Sequence, residues 1–166
     1  MSGAADKIEL NPQPTLCGGL VEAAATSLRE FARRKGLALH VETSEDDLVL
    51  RTDRRALSQI VLHLLNNAIR HTEQGGVSVG VASGVREGRR TVEISVADTG
   101  VGIRPEDQAT LFAPSARADA PGDAQPERPS LDLHRSQKLA EALGGRIELA
   151  SEYGFGSTFT LVLPDR

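Results

Sequence analysis

The chain has 166 residues, with 19 Lys+Arg against 23 Asp+Glu for a formal charge of −4; 39% are hydrophobic and only 3% aromatic. That length suits one domain with its own core, and an acidic excess without basic blocks or stacking aromatics argues against non-specific nucleic-acid binding. One cysteine, Cys17, excludes an internal disulfide framework, and no apolar run reaches the roughly 18–20 residues of a membrane span, so a soluble, intracellular domain is expected, or the cytoplasmic piece of something larger.

Residues 1–14 are small, polar and proline-marked, and read as a leader or the end of a linker, with Ile8 and Leu10 adding a short extended segment. The domain is expected to run over 15–166. Thr15 should cap a helix reaching about Lys35, where Gly36 supplies the stop; Leu20, Ala23, Ala24, Leu28 and Phe31 step along it by three and four. Residues 38–43 and 47–52 alternate well enough to be two strands joined by a short acidic turn. The next helix is the clearest. Thr52 or Asp53 caps it, Leu57, Ile60, Val61, Leu64, Leu65 and Ala68 form one stripe, and it ends near Thr72.

Strands are then expected over 77–83 and 90–98, linked by a hairpin loop containing Gly and Arg. A glycine loop fills 99–104, and Pro105 opens a short helix through about Phe112. Residues 113–130 are mostly Ala, Pro, Asp and Arg, and are expected to be a mobile loop. A third helix over about 131–143 stops at Gly144-Gly145, and strands over 146–151 and 157–164 finish the chain. Helices alternating with hairpin-linked strands imply an α/β fold: a two-layer sandwich of one mostly antiparallel, mixed sheet against three main helices.

Three places could carry chemistry. At 100° per residue His63, Asn67 and Arg70 share one strip at the margin of the second helix's apolar stripe, with His71 between strip and stripe. An amide, imidazoles and a guanidinium placed there could meet a metal ion and phosphate oxygens, although a solvated helix face is the plainer explanation of the helix alone. Asp98-Thr99-Gly100-Val101-Gly102-Ile103 follows a strong strand. A carboxylate there can accept from an exocyclic amine, and the glycines allow φ > 0 and close approach of a ring or phosphate. Gly154-Phe155-Gly156-Ser157-Thr158-Phe159 is a glycine turn feeding the last strand, by itself an ordinary hairpin.

Their order is more specific than any part. N-N-A-I-R-H-T at a helix end, D-T-G-V-G-I after a strand, L-F-A-P, a biased loop, a helix ending in G-G and a closing G-F-G-S-T-F resemble the ATP-binding catalytic domain of sensor histidine kinases, in the GHKL ATPase superfamily. The resemblance covers about residues 15–164 and implies the Bergerat-type sandwich, with 113–130 as the ATP lid. It implies that Asn67 is the magnesium ligand bridging Mg²⁺ to the triphosphate of ATP, and that Arg70 reaches phosphate. His71 takes a position, usually aromatic, beside the nucleotide. Asp98 would recognise the adenine amino group, with Gly100, Gly102 and Ile103 forming the wall beside the base. Thr158 would support that network through water, and Phe112 would begin the phenylalanine box.

The departures matter as much. His63 stands where the family commonly has Asn; an imidazole can also contact phosphate. The second glycine box, G-x-G-L-G-L in the family, falls on Arg128-Pro129-Ser130-Leu131-Asp132-Leu133, without a glycine. Pro129 removes a backbone donor, Asp132 adds negative charge, and Arg128 replaces part of the phosphate contact. Losing two charge-assisted hydrogen bonds at about 1.5–3 kcal/mol each would weaken binding 10²-fold or more.

None of His40, His63, His71 or His134 lies in the H-E-[IL]-[RK]-x-P setting of a phosphoacceptor. The resemblance therefore implies a domain that binds Mg-ATP for transfer to a histidine on a separate dimerisation domain, of the same protein or a partner, with a response regulator downstream. The alternative it leaves is a degenerate domain with weak or no ATP binding, acting as a docking module; a GHKL kinase acting on a protein serine, of the anti-sigma-factor type, ranks third. A monomer is expected for the isolated domain, in the cytoplasm and without direct membrane or nucleic-acid contact.

Overall fold

The structure, a computed structural model, describes residues 10–43, 48–100, 132–152 and 154–164. In chain order the elements are β1 (Gln13–Leu16), α1 (Cys17–Arg34), β2 (Ala38–Thr43), β3 (Val49–Thr52), α2 (Arg54–His71), β4 (Gly76–Arg86), β5 (Arg89–Asp98), α3 (Asp132–Ala142), β6 (Arg146–Glu152) and β7 (Gly156–Pro164). The main sheet has five strands in the order β2-β4-β5-β7-β6, and β1 pairs with β3 in a separate two-stranded sheet. Three helices lie against the main sheet among the described residues. The expected two-layer sandwich is the observed architecture.

Alternation decides which sheet face meets the helices. Val77, Val79 and Val81 on β4, Val92, Ile94 and Val96 on β5, and Phe159, Leu161 and Leu163 on β7 are buried at every second position. They meet the stripe of α2, on which Leu57, Ile60, Val61, Leu64 and Leu65 are wholly buried. At about 25 cal/mol per Å² of apolar surface, each such side chain contributes about 1.5–3 kcal/mol. This makes α2 the central helix, with α1 and α3 packed beside it.

Several local expectations need correction. Thr15 does not cap α1: the cap position is Leu16, which makes no side-chain hydrogen bond, and the helix starts at Cys17. Thr15 lies in β1, where its hydroxyl is 3.0 Å from the Gln13 carbonyl oxygen and 3.4 Å from that of Thr52. An extended segment lies at 13–16, where β1 finds β3 as its antiparallel partner; Leu10 is outside any strand, and Ile8 lies outside the described residues. The strands at 38–43 and 49–52 are present but belong to different sheets, since β2 pairs in parallel with β4. The hairpin loop between β4 and β5 is shorter than expected. Both strands run to a two-residue turn at Glu87-Gly88, with φ of 54° and 77°, which suits the twist of a tight hairpin. The short helix expected at 105–112 and the loop at 113–130 lie outside the described residues.

Both ends of α2 are tied down. Asp53 caps its start, with Oδ1 accepting from the Ala56 N–H at 3.0 Å and Oδ2 from the Asn11 N–H at 2.8 Å. Those bonds, Ala56 first, hold the Asp53 carboxyl below its usual range. A depressed folded-state pKa gives stability that is present above the unfolded value and is lost as pH falls through the folded one. Asp53→Ala should cost about 1–2 kcal/mol in urea denaturation at neutral pH, with the gap to wild type narrowing in acid. At the other end Lys35 donates to the carbonyls of Ile69 at 2.8 Å and Arg70 at 3.0 Å. A cation there suits the helix dipole and satisfies two orphan acceptors. Lys35→Met is expected to lower stability by about 1 kcal/mol in the same measurement.

Candidate nucleotide-binding site

The last turn of α2, the turn after it and the end of β5 are knitted together. Thr72 donates to the Ala68 carbonyl at 2.7 Å, closing the helix. The Thr99 hydroxyl accepts from the Gly76 N–H at 3.1 Å and lies 3.2 Å from the Gln74 carbonyl oxygen, so the loop after β5 is pinned to the turn after α2. Gly100 closes the join. A Cβ there would lie 2.8 Å from the His71 carbonyl oxygen, 3.0 Å from Asp98 Oδ1 and 3.3 Å from Thr72 Oγ1. The requirement at Gly100 is close approach, not the positive φ the sequence suggested, since its backbone is outside that region. Gly156 does need the conformation: its φ is +117°, and a Cβ there would run into the Asp98 carbonyl oxygen.

Asp98 sits where these pieces converge. Its Oδ1 accepts from the Gly100 N–H at 2.8 Å. Burial pushes its carboxyl above the usual range, while the Gly100 and Ser157 N–H groups pull it back part of the way. A half-buried carboxylate oriented by backbone donors is a ready acceptor for a planar ligand's amine. Asn67, on α2, is 7% exposed. Among the described residues no hydrogen bond engages its amide, whose oxygen suits a cation or its water shell. His63, one turn earlier, has Nδ1 3.1 Å from the hydroxyl of Ser136 on α3. His71 is half-buried at the last residue of α2, and Arg70 is exposed beside it.

The sheet register corrects one expected position. Thr158 pairs with Ala97, while Ser157 pairs with Asp98. Burial alternates along β7, with Ser157, Phe159 and Leu161 buried and Thr158 and Thr160 only half-buried. The hydroxyl on Asp98's face of the sheet is therefore Ser157's, and Thr158 is on the opposite face. Ser157 Oγ lies 2.9 Å from Ser151 Oγ on β6, which holds it in place. The signal was available in the sequence: Phe159 and Leu161 must be core, which fixes the parity of Ser157. Gly102, Ile103, Phe112 and Arg128 lie outside the described residues.

A second cleft, of about 730 Å³, opens at the other end of α2, lined by Leu16, Leu20, Leu62, Arg54 and Arg55 among others. It shares no residue with the Asn67–Asp98 region. Among the described residues no helix is long and apolar enough to cross a membrane.

Residues 52–166 match the family model for histidine kinase-, DNA gyrase B-, and HSP90-like ATPases. The chain is 31% identical over 159 residues to the sensor histidine kinase AtsR of Burkholderia thailandensis, covering 96% of this chain and 25% of that protein. It is 37% identical over 144 residues to the histidine protein kinase DivJ of Caulobacter vibrioides, covering 87% and 24%. Full-length ShkA, solved in complex with AMPPNP, superposes with a TM-score of 0.80 at 30% identity, covering 95% of this chain and 32% of that one. The chain thus spans about a quarter of the length of the curated relatives it matches. The family match covers α2, the loop after β5 and the last two strands, where the Asp98 and Asn67 groups lie, so this chain belongs to the histidine kinase-, DNA gyrase B-, and HSP90-like ATPases, as an ATP-binding catalytic domain of the sensor histidine kinase type.

Proposed function

We propose that the domain binds Mg-ATP with adenine at Asp98 and the metal-bound phosphates at Asn67, and presents the γ-phosphate to a histidine on a separate dimerisation domain. A response regulator is the expected next acceptor. The observation that supports this reading is the join of Asp98, Gly100 and the end of α2, the helix that also carries Asn67.

Asp98 accepts from the adenine amino group, and the backbone N–H groups of Gly100 and Ser157 keep its oxygens aimed. Ser157, on the same sheet face, supplies the supporting hydroxyl. Mg²⁺ would be held by the Asn67 amide oxygen with phosphate oxygens and water, and would supply neutralisation of phosphate charge. Phosphate oxygens of the nucleotide and water would supply its remaining ligands. Arg70 and His63 border the phosphate end. The domain's contribution to transfer is positioning, because phosphoryl transfer asks the protein mainly for alignment and charge compensation.

Calorimetric titration with AMPPNP, with Mg²⁺ and with EDTA, tests the reading. Saturable binding that tightens with Mg²⁺ is expected. No saturation at millimolar nucleotide would overturn it.

A further inference from the structure

The cleft at the start of α2 has a volume of about 730 Å³, with an apolar lining from Leu16, Leu20 and Leu62. Gly19 and Ala23, one turn apart and both exposed on α1, line it as well, so that wall is low enough for another helix to approach. The apolar surface continues past the cleft. Leu16 is 50% exposed, and Val49, its register partner on β3, is 51% exposed. Single exposed leucines and valines are ordinary, but two side by side next to an apolar cleft form a patch.

The rim is basic. Arg54 and Arg55 line the cleft from the first turn of α2, which holds no acidic residue, and Arg51 is exposed on the same face of β3 as Val49. Free N–H groups already give that end of α2 a positive partial charge, so two arginines there do nothing for the helix itself. Among the described residues neither guanidinium makes an ion pair, and the capping carboxylate of Asp53 is committed to the Ala56 and Asn11 N–H groups. The chain as a whole carries a charge of −4, so the rim is a local concentration of positive charge on an acidic protein.

We infer that this cleft is a docking site for an amphipathic helix of a partner protein, whose apolar stripe enters between α1 and α2 and whose flanking carboxylates meet Arg51, Arg54 and Arg55. Concavity selects a helix over a membrane surface, because side chains at i, i+3, i+4 and i+7 fill a cleft that a plane of lipid headgroups would bridge. The sign of the rim selects an acidic partner and steers its approach. The cleft shares no residue with the Asn67–Asp98 region, so docking does not require nucleotide.

Fluorescence anisotropy on the intact chain tests this with two synthetic helical peptides that share a leucine stripe and carry either glutamates or lysines beside it. The glutamate peptide should bind saturably and the lysine peptide roughly 10-fold more weakly, a difference that shrinks in high salt. Arg54→Glu combined with Arg55→Glu should reverse the preference. Ala23→Arg adds no negative charge but fills the low wall, and should weaken the glutamate peptide by roughly 10-fold. These variants change exposed residues and should melt as wild type does. No saturation with the glutamate peptide, equal affinity for the two peptides, or indifference to Ala23→Arg would overturn the inference. Binding to phosphatidylglycerol vesicles that Ala23→Arg leaves intact would overturn it in favour of a lipid surface.

Discussion

Asp98→Asn should weaken AMPPNP binding by about 10- to 150-fold, the equivalent of about 1.5–3 kcal/mol for a charge-assisted hydrogen bond. The substitution is more informative than Ala. An asparagine oxygen can still accept from the Gly100 N–H, so the loop keeps its anchor. The amide N–H₂ would then face the adenine amine, setting donor against donor. Titration with GTP alongside AMPPNP separates the effects, because lost adenine recognition should narrow the preference between purines while damage to the phosphate end would not.

The same carboxylate predicts a pH dependence. Burial raises the Asp98 pKa above its ordinary value, because the buried anion loses solvation. The sign follows from linkage: an acid whose folded pKa is raised makes the free domain less stable as pH rises through that value. The adenine amine requires the anion. Nucleotide affinity should therefore fall on acidification, starting at a higher pH than an unperturbed aspartate would give, and binding in that range should release a proton. Calorimetry in buffers of different ionisation enthalpy reads that proton directly. In Asp98→Asn the release should vanish.

Much of this site was legible because its pieces are local. The spacing of Leu57, Ile60, Val61, Leu64, Leu65 and Ala68 specifies α2 and its buried face, and Asp53 followed by that stripe specifies its start. Once the stripe is fixed, the strip carrying His63 and Asn67 follows from helix geometry. What failed was non-local or turned on a single residue. A four-residue strand such as β3 has too little pattern to name its partner, and pairing with β1 is decided by where the chain enters, 36 residues earlier by the Gln13-to-Val49 spacing. Parallel pairing of β2 with β4 is non-local as well, and α1 packs across both strands. Thr158 was misplaced because one residue of register exchanges the two faces of a strand. The His63–Ser136 contact joins helices 73 positions apart, and no local rule points to it.

Asn67→Ala separates function from stability most sharply. If the amide were structural, its removal would leave a broken hydrogen bond and a less stable fold. With no hydrogen bond to it among the described residues, truncation breaks none there and the fold should be as stable as before. Alanine has the better helix propensity by several tenths of a kcal/mol. The ligand-free variant should melt at the wild-type temperature or above it. Its affinity for AMPPNP with Mg²⁺ should fall by about 10- to 100-fold, while its affinity in EDTA should stay near that of wild type. Loss of stability with Mg²⁺ dependence intact would assign the amide to the fold and leave the metal without its proposed protein ligand. A gain in stability paired with lost Mg²⁺ dependence would identify a residue kept at a thermodynamic cost to the empty domain, a cost that binding of the metal-bound phosphates offsets.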